Sequence, residues 1–231
     1  MKPRNTLATA ALPDNKTLAL MEQDGVYSVS IDGIELMSTR RHASEEALAE
    51  LACAHLVKTP RARVLIGGLG FGYTLKAALE ILAVTATVLV AELLPEIIAW
   101  NRNPTYPLAH KALADRRVTI QQTDVLQLLK PGVYDAIILD VDNGPAAFTT
   151  GDNRTLYTAA GLAQTRRACK PNGVIAYWSA ALDNRFEKRL IAAGFQVETH
   201  RARAHKTSGA HHTIYLARYP KPTKGGSTPG L

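Results

Sequence analysis

The sequence predicts an α/β chain: a doubly wound, mostly parallel seven-stranded sheet preceded by a small antiparallel β meander. Three observations predict it. Short, near-continuous apolar runs alternate with helical patterns after Pro60, as in strands covered on both faces by crossover helices. The last two strand-like runs follow one another without a helix, so they close the sheet as an antiparallel hairpin. Near the N-terminus, Asp24-Gly25 and Asp32-Gly33 separate short alternating runs, the signature of tight hairpins.

The elements follow in order. Thr17–Glu22, Val26–Ile31 and Ile34–Met37 form the meander, and Ser44, followed by Glu45 and Glu46, caps a helix carrying Ala47, Leu48, Leu51, Ala52 and His55. Val64–Ile66 is the first strand of the main sheet and runs into Gly67-Gly68-Leu69-Gly70-Phe71-Gly72. A helix over Tyr73–Leu82 follows, then a strand at Ala86–Ala91 ending at Glu92. Pro95 opens a helix to Asn101, proline being permitted in a first turn. Strands at Val118–Gln122 and Asp135–Leu139 end near Asp124 and at Asp140. A helix over Thr155–Cys169, a strand at Val174–Trp178 and a helix over Asp183–Ala193 come next. Phe195–His200 and Thr213–Ala217 are the closing hairpin. Five parallel strands with that hairpin are the pattern of the class I S-adenosylmethionine-binding fold. The organisation expected is a flexible N-terminus at 1–16, meander and helix at 17–58, the α/β domain at 59–218 and a flexible Pro-, Gly- and Ser-rich tail at 219–231.

Composition excludes other classes. With 46% hydrophobic residues the chain is no disordered polymer, and no run of eighteen apolar residues suggests a membrane span. The first residues, Met1 to Thr6, lack an apolar signal core, and two cysteines, Cys53 and Cys169, make no disulfide framework or CxxC pair. A cytoplasmic location is expected, with no metal and no membrane partner. The net charge of +7 gathers at the ends, on Lys2, Arg4 and Lys16 and on Arg218, Lys221 and Lys224, and leaves the rest nearly balanced. A nucleic-acid partner is therefore not expected; that reading rests only on the ends and on Arg201–Lys206.

The chemistry belongs at the carboxyl ends of the strands, where open α/β sheets bind ligands. Gly68-x-Gly70-x-Gly72 lets a backbone approach a ligand ahead of a helix N-terminus. Counted as a dinucleotide fingerprint it fails, because Tyr73 would replace the third glycine; no Gly-Lys-Ser/Thr follows, so it is no P-loop. The plain alternative is a tight turn. Glu92, twenty residues after Gly72, suits a ribose diol, since a carboxylate accepts two hydrogen bonds. Asp124 suits an adenine amino group or, equally, caps the next helix. Asp140 and Asp142, before Asn143-Gly144-Pro145, make an anionic mouth that attracts a cationic amine and supplies a general base; the plain reading is a polar turn. Tyr157 is a substrate contact or a core residue. Trp178 flanks the pocket or packs in the core. His211-His212 enters a strand. Arg166, Arg167, Arg201, Arg203 and Lys206 are solvated charge or, less simply, a phosphate-binding face.

The stretches Val64–Gly72, Val90-Ala91-Glu92, Thr123-Asp124-Val125, Tyr134–Asp140, Leu156-Tyr157 and Gly173-Val174 resemble the spermidine/spermine synthase family of polyamine aminopropyltransferases, in particular its shorter bacterial spermidine synthase-like branch. The resemblance runs from about Thr17 to Ala217. It implies a transferase of polyamine biosynthesis that takes S-adenosylmethionine or decarboxylated S-adenosylmethionine as donor, a small amine as acceptor, and a homodimer. It implies that Gly68, Gly70, Gly72 and Glu92 hold the adenosyl donor and that Asp124 meets the adenine. The loop after the fourth strand would supply the base, Asp142 or Asp140, and acceptor contacts from Asp140, Asn143 and Tyr157. Two positions depart from the family pattern: Phe71 stands where the family's first loop carries an aspartate that touches the aminopropyl end, and Asn143 stands where it carries its catalytic aspartate. Methyl transfer from S-adenosylmethionine and a non-catalytic nucleoside-binding or interaction module are the alternatives.

Overall fold

The computed structural model describes residues 3–12, 15–141, 153–205 and 209–219. It opens with four strands, β1 (Asn5–Ala11), β2 (Thr17–Gln23), β3 (Val26–Ile31) and β4 (Ile34–Ser38), paired antiparallel in chain order. Both Asp-Gly turns take positive φ at each residue, +51° and +79° at Asp24-Gly25 and +49° and +81° at Asp32-Gly33. That is the two-residue turn whose twist matches its strands. β1 is one strand more than the sequence reading placed there. Its burial is slight, with most of its side chains exposed, so hydrophobic periodicity gave no signal; pairing with β2 is what defines it.

Helix α1 (Ala43–Cys53) follows. Its N-cap is His42, without a side-chain capping bond, and not Ser44. Ser44 lies one residue inside the helix, buried, where it is needed for a cross-element junction: Trp178 Nε1 donates to its Oγ at 3.1 Å and His212 Nδ1 lies 2.8 Å from the same oxygen.

The main sheet contains β5 (Arg63–Gly67), β6 (Thr87–Glu92), β7 (Val118–Gln122), β8 (Tyr134–Leu139), β9 (Cys169–Ser179), β10 (Gln196–Arg203) and β11 (His211–Arg218), in the spatial order β10-β11-β9-β8-β5-β6-β7. β5 to β9 are parallel, and β11 pairs antiparallel with both β9 and β10. The expected mostly parallel seven-stranded sheet with a closing hairpin is therefore the fold. Its crossovers are α2 (Tyr73–Ile81), α3 (Pro95–Arg102), the short α4 (His110–Leu113), α5 (Ala159–Ala168) and α6 (Asn184–Ala192).

The strand side chains divide by parity. Val64, Ile66, Val88, Val90, Ala136 and Ile138 pack under α1 and α2, whereas Leu65, Ile137, Leu139, Ile175, Tyr177 and Tyr215 pack with α5 and α6. Burial of both faces is why these strands read as continuous apolar runs. The helix expected over Thr155–Cys169 is shorter. Residues Asn153–Tyr157 form a 3-10 turn, Thr158 caps α5 by accepting from the Gly161 N–H, and Cys169 already belongs to β9. The β8–β9 register shifts between Tyr134 and Ala136, so β9 carries the Lys170-Pro171-Asn172-Gly173 segment as an irregularity that looks like a loop in sequence. Among the described residues no helix is long and apolar enough to cross a membrane.

Candidate functional site

β5 and β8 are neighbours whose crossovers diverge, α2 leading on to β6 and the chain after β8 leading to α5. A crevice at such a switch point is the usual ligand position in an open α/β sheet. The glycine loop and Asp140 meet there: the Asp140 N–H donates to Gly67 O at 2.9 Å, and the Gly68 N–H donates to Ala91 O at 2.9 Å.

The three glycines of the loop serve different ends. Gly68 has φ +88°, and a Cβ on it would stand 2.2 Å from the Asp140 carbonyl oxygen, so chain packing alone requires glycine. Gly72, with φ +74°, is likewise closed in, by Ala109 at 2.4 Å. Gly70 has φ +51°, but its added Cβ meets nothing nearer than Met37 Sδ at 3.8 Å. The open side thus leaves the Gly70 backbone accessible, directly before the N-terminus of α2.

Glu92 lies at the end of β6, partly buried, and braces that loop. Its Oε2 accepts from the Leu69 N–H at 2.8 Å and its Oε1 from the Leu94 N–H at 2.9 Å. The carboxylate therefore ties the glycine loop to the start of α3 and stands beside the crevice. Asn101 supports the same loop from α3, donating to Gly70 O at 2.8 Å while its Oδ1 accepts from the Ala109 N–H. Asp124 caps the 3-10 turn Val125–Leu128, its Oδ1 accepting from the Leu126 N–H at 2.9 Å. Of the two readings the sequence left open for Asp124, capping is the one realised in the hydrogen bonds.

Across the crevice the structure assembles an acidic group that no sequence motif announces. Thr74, in the first turn of α2, donates from Oγ1 to Asp140 Oδ2 at 2.9 Å, and the same hydroxyl lies 3.4 Å from the Glu45 carbonyl oxygen. Burial pushes the Asp140 carboxyl up to about 6, against the opposing Thr74 hydrogen bond. Burial, then the charge of Asp140, then that of Glu46, raise Glu45 well above the usual carboxylate range, while Lys76 opposes them. Two such carboxylates in one desolvated place titrate as a pair. Burial lowers Lys76, with Glu45 and Glu46 opposing, and its ammonium sits 4.6 Å from the centroid of the Tyr73 ring. Tyr73 in turn stacks on His42 at 4.2 Å.

The acceptor residues expected after β8 fare differently. Asp142 and Asn143 lie outside the described residues. Tyr157 packs its ring against Tyr177 and Phe186 in the core and donates from its hydroxyl to Val141 O at 3.3 Å. It holds the start of the loop after β8 through the Val141 carbonyl. Trp178 and His212 meet at Ser44, as above, and His212 lies in β11. Phe71 is 3% exposed and belongs to the core, so nothing on that side chain substitutes for an acid. Glu45, which the sequence marks only as part of a helix start, is the acid that the fold adds beside Asp140. Its signal would have been an acid one helical turn before the apolar Leu48–Ala49 face that α1 buries. Among the described residues there is no group of three His, Cys, Asp or Glu placed to hold a metal.

Sheet order defines the class: an α/β chain with the class I methyltransferase-like fold and its switch point between β5 and β8. Within that class the chain resembles solved spermidine synthases. A spermidine synthase in complex with the transition-state analogue AdoDATO superposes with a TM-score of 0.72 at 16% identity, over 94% of this chain and 73% of that one. Spermidine synthase from Thermotoga maritima superposes with a TM-score of 0.71 at 16% identity, over 94% of this chain and 74% of that one. The match takes in the N-terminal strands as well as the large sheet. No family model and no curated protein matches the chain by sequence.

Proposed function

We propose that the chain is a transferase that binds an adenosyl sulfonium donor and moves its aminopropyl group to a small amine. The observation that carries this reading is the pairing, at one switch point, of a loop open at Gly70 and braced by Glu92 with a desolvated carboxylate, Asp140, tuned to about 6. Likeness to spermidine synthases over both sheets supports it.

The residues divide the work. Glu92 receives the ribose hydroxyls, the Gly68–Gly72 backbone passes the adenosyl group, and Asp124 stands near the adenine. Asp140 faces the acceptor. Near neutral pH it is ionised, so it attracts an ammonium group and takes one of its protons. The freed nitrogen lone pair then attacks the carbon beside the sulfonium. The new C–N bond forms as the C–S bond breaks, and that electron pair stays on sulfur as a neutral thioether. Most of the protein's contribution is alignment of nitrogen, carbon and sulfur, with one proton removed. Glu45 holds a second carboxyl close to Asp140. It stands on α1, whereas the glycine loop carries Phe71 and no acid.

Burial of Phe71 also favours a second reading, methyl transfer from S-adenosylmethionine, because the loop acid that meets an aminopropyl end in the family is missing here. Calorimetry separates the two. Preference for decarboxylated S-adenosylmethionine over S-adenosylmethionine is expected, with product formation from a diamine. The opposite preference, with methylated product, replaces aminopropyl by methyl transfer. No binding of either donor or of 5′-methylthioadenosine removes both and leaves a non-catalytic module. A homodimer in a cytoplasmic setting completes the proposal.

A further inference from the structure

A cavity of about 510 Å³ runs along α5 from Ala159 to Arg167 and past the last turn of α6. In a parallel sheet the helix C-termini lie at the amino ends of the strands. Tyr219, which directly follows the antiparallel β11, reaches the same end, so the part of the cavity around Arg166 and Tyr219 lies at the end of the sheet opposite Gly70 and Asp140. Leu162 and Ala163 of α5 and Ala193 after α6 make an apolar floor, while Arg166, Arg167 and Arg189 stand around it; no acid lines it among the described residues, although Arg189 also lies 3.9 Å from the Asp183 carboxylate, a distance at the long limit of an ion pair.

Arg166 is held in place. Its guanidinium sits 4.9 Å from the centroid of the Tyr219 ring, a cation–π distance. It also passes Gly194, where φ is +87° and an added Cβ would press on the guanidinium at 3.4 Å. Its Nε is nonetheless buried without a hydrogen-bond partner among the described residues. An unmet buried donor is costly and is normally satisfied by something. Negative carbonyl ends of α5 and α6 explain why arginines gather in these last turns. They explain neither an apolar hollow of ligand size nor the unmet Nε.

We propose that this cavity is a second ligand site, for a small anion that carries an apolar body. The anionic head, a phosphate, sulfonate or carboxylate, is met by the Arg166 and Arg189 guanidiniums, and the apolar part rests on Leu162 and Ala163. A forked guanidinium suits such oxyanions better than an ammonium would. The site is independent of the donor crevice and of the reaction proposed there.

Calorimetry of the full chain with octyl phosphate below its micelle concentration tests this, with inorganic phosphate and octanol as its two halves. Saturable one-to-one binding of octyl phosphate is expected, at least about tenfold tighter than either half. Arg166→Gln removes the head contact, and Ala163→Leu fills the hollow. Each should weaken octyl phosphate by about tenfold or more, with adenosyl-donor affinity and melting temperature unchanged. Arg189→Gln replaces either variant if it melts below the parent. Absence of saturable octyl phosphate binding overturns the proposal. So does inorganic phosphate binding as tightly, or parental affinity in the folded variants. Binding only to phosphatidylglycerol vesicles, and never to the monomer, would make the face a membrane contact and equally overturn it.

Discussion

The two walls of the crevice are built in opposite ways. The wall proposed for the donor is local: Gly68, Gly70, Gly72 and Glu92 come from one βαβ unit, and Glu92 fixes the loop by accepting from Leu69 and Leu94 N–H groups. The wall proposed for the acceptor is assembled from distant segments, with Glu45 on α1, Thr74 on α2 and Asp140 after β8. The first wall works through backbone geometry, where a side chain at Gly70 is an obstruction. The second works through desolvated charge, where two carboxyls perturb one another. Rigidity is inherited from the sheet in the first case and must be made by side-chain contacts in the second. Substitutions in the two walls should therefore fail differently, the donor wall in affinity and the acceptor wall in turnover and pH dependence.

The largest effect is expected at Asp140. Asp140→Asn keeps the size of the side chain and removes the base, so turnover with an amine acceptor should fall by about 10²–10⁴-fold. Adenosyl affinity measured by calorimetry should stay near the parent's. If both fall together, the two walls are not separate. On the donor wall, Gly70→Val puts a branched side chain on the open face and imposes a positive φ on valine. Adenosyl binding should be lost while the circular dichroism of the sheet persists. Glu92→Ala is milder. Loss of hydrogen bonds to a charged group should weaken every adenosyl ligand by about 1.5–3 kcal/mol. Part of that cost comes through the loop it braces, so Glu92→Gln, which still accepts, should recover some affinity. Unchanged affinity in a folded Glu92→Ala protein would remove this residue from the site.

The same contrast explains what was legible in the sequence. Strand order, the closing hairpin and the Asp-Gly turns follow from local periodicity and turn chemistry, and each leaves a mark within a few residues. Glu92 was legible because a polar residue ending a buried strand breaks an apolar run. Glu45 was not, because its partner Asp140 lies far away in the chain and an acid in a first helical turn already has a sufficient reason in the helix dipole. Ser44 misled for a related reason: a serine before two glutamates is a capping signature, and only the fold brings Trp178 and His212 to its hydroxyl. Tyr157 was ambiguous because an aromatic residue has both a body to bury and a hydroxyl to place, and here it does both. β1 was missed because a mostly exposed strand has no apolar face to reveal it.

The smallest expected effect is the sharpest test of the acceptor wall. Thr74 donates to the charged form of Asp140 and so holds its carboxyl lower than burial alone would. Thr74→Val keeps the shape of the side chain and deletes that donor. The ionised form loses a stabilising hydrogen bond, and the Asp140 carboxyl moves up from about 6. A base must be ionised to work, so the rising limb of kcat/KM against pH should shift upward by about one unit or more. Activity lost near pH 6 should be recovered at higher pH, which a simple packing defect would not produce. Stability must move with the opposite sense. A carboxyl raised in the folded chain above its unfolded value of about 3.9 gives stability that is fully present below that value and is lost as pH rises through the folded value. The melting temperature of the parent should therefore decline between about pH 4 and pH 6, and that of Thr74→Val should go on declining to higher pH. Glu45→Gln supplies the control. The Glu45 carboxyl is raised by burial and then by the charge of Asp140, and its removal leaves the Thr74 hydrogen bond to Asp140 in place, so a limb that responds to Thr74→Val should persist in Glu45→Gln. A parent profile without a limb near pH 6, or a Thr74→Val limb that does not move, would take Asp140 out of the role of base.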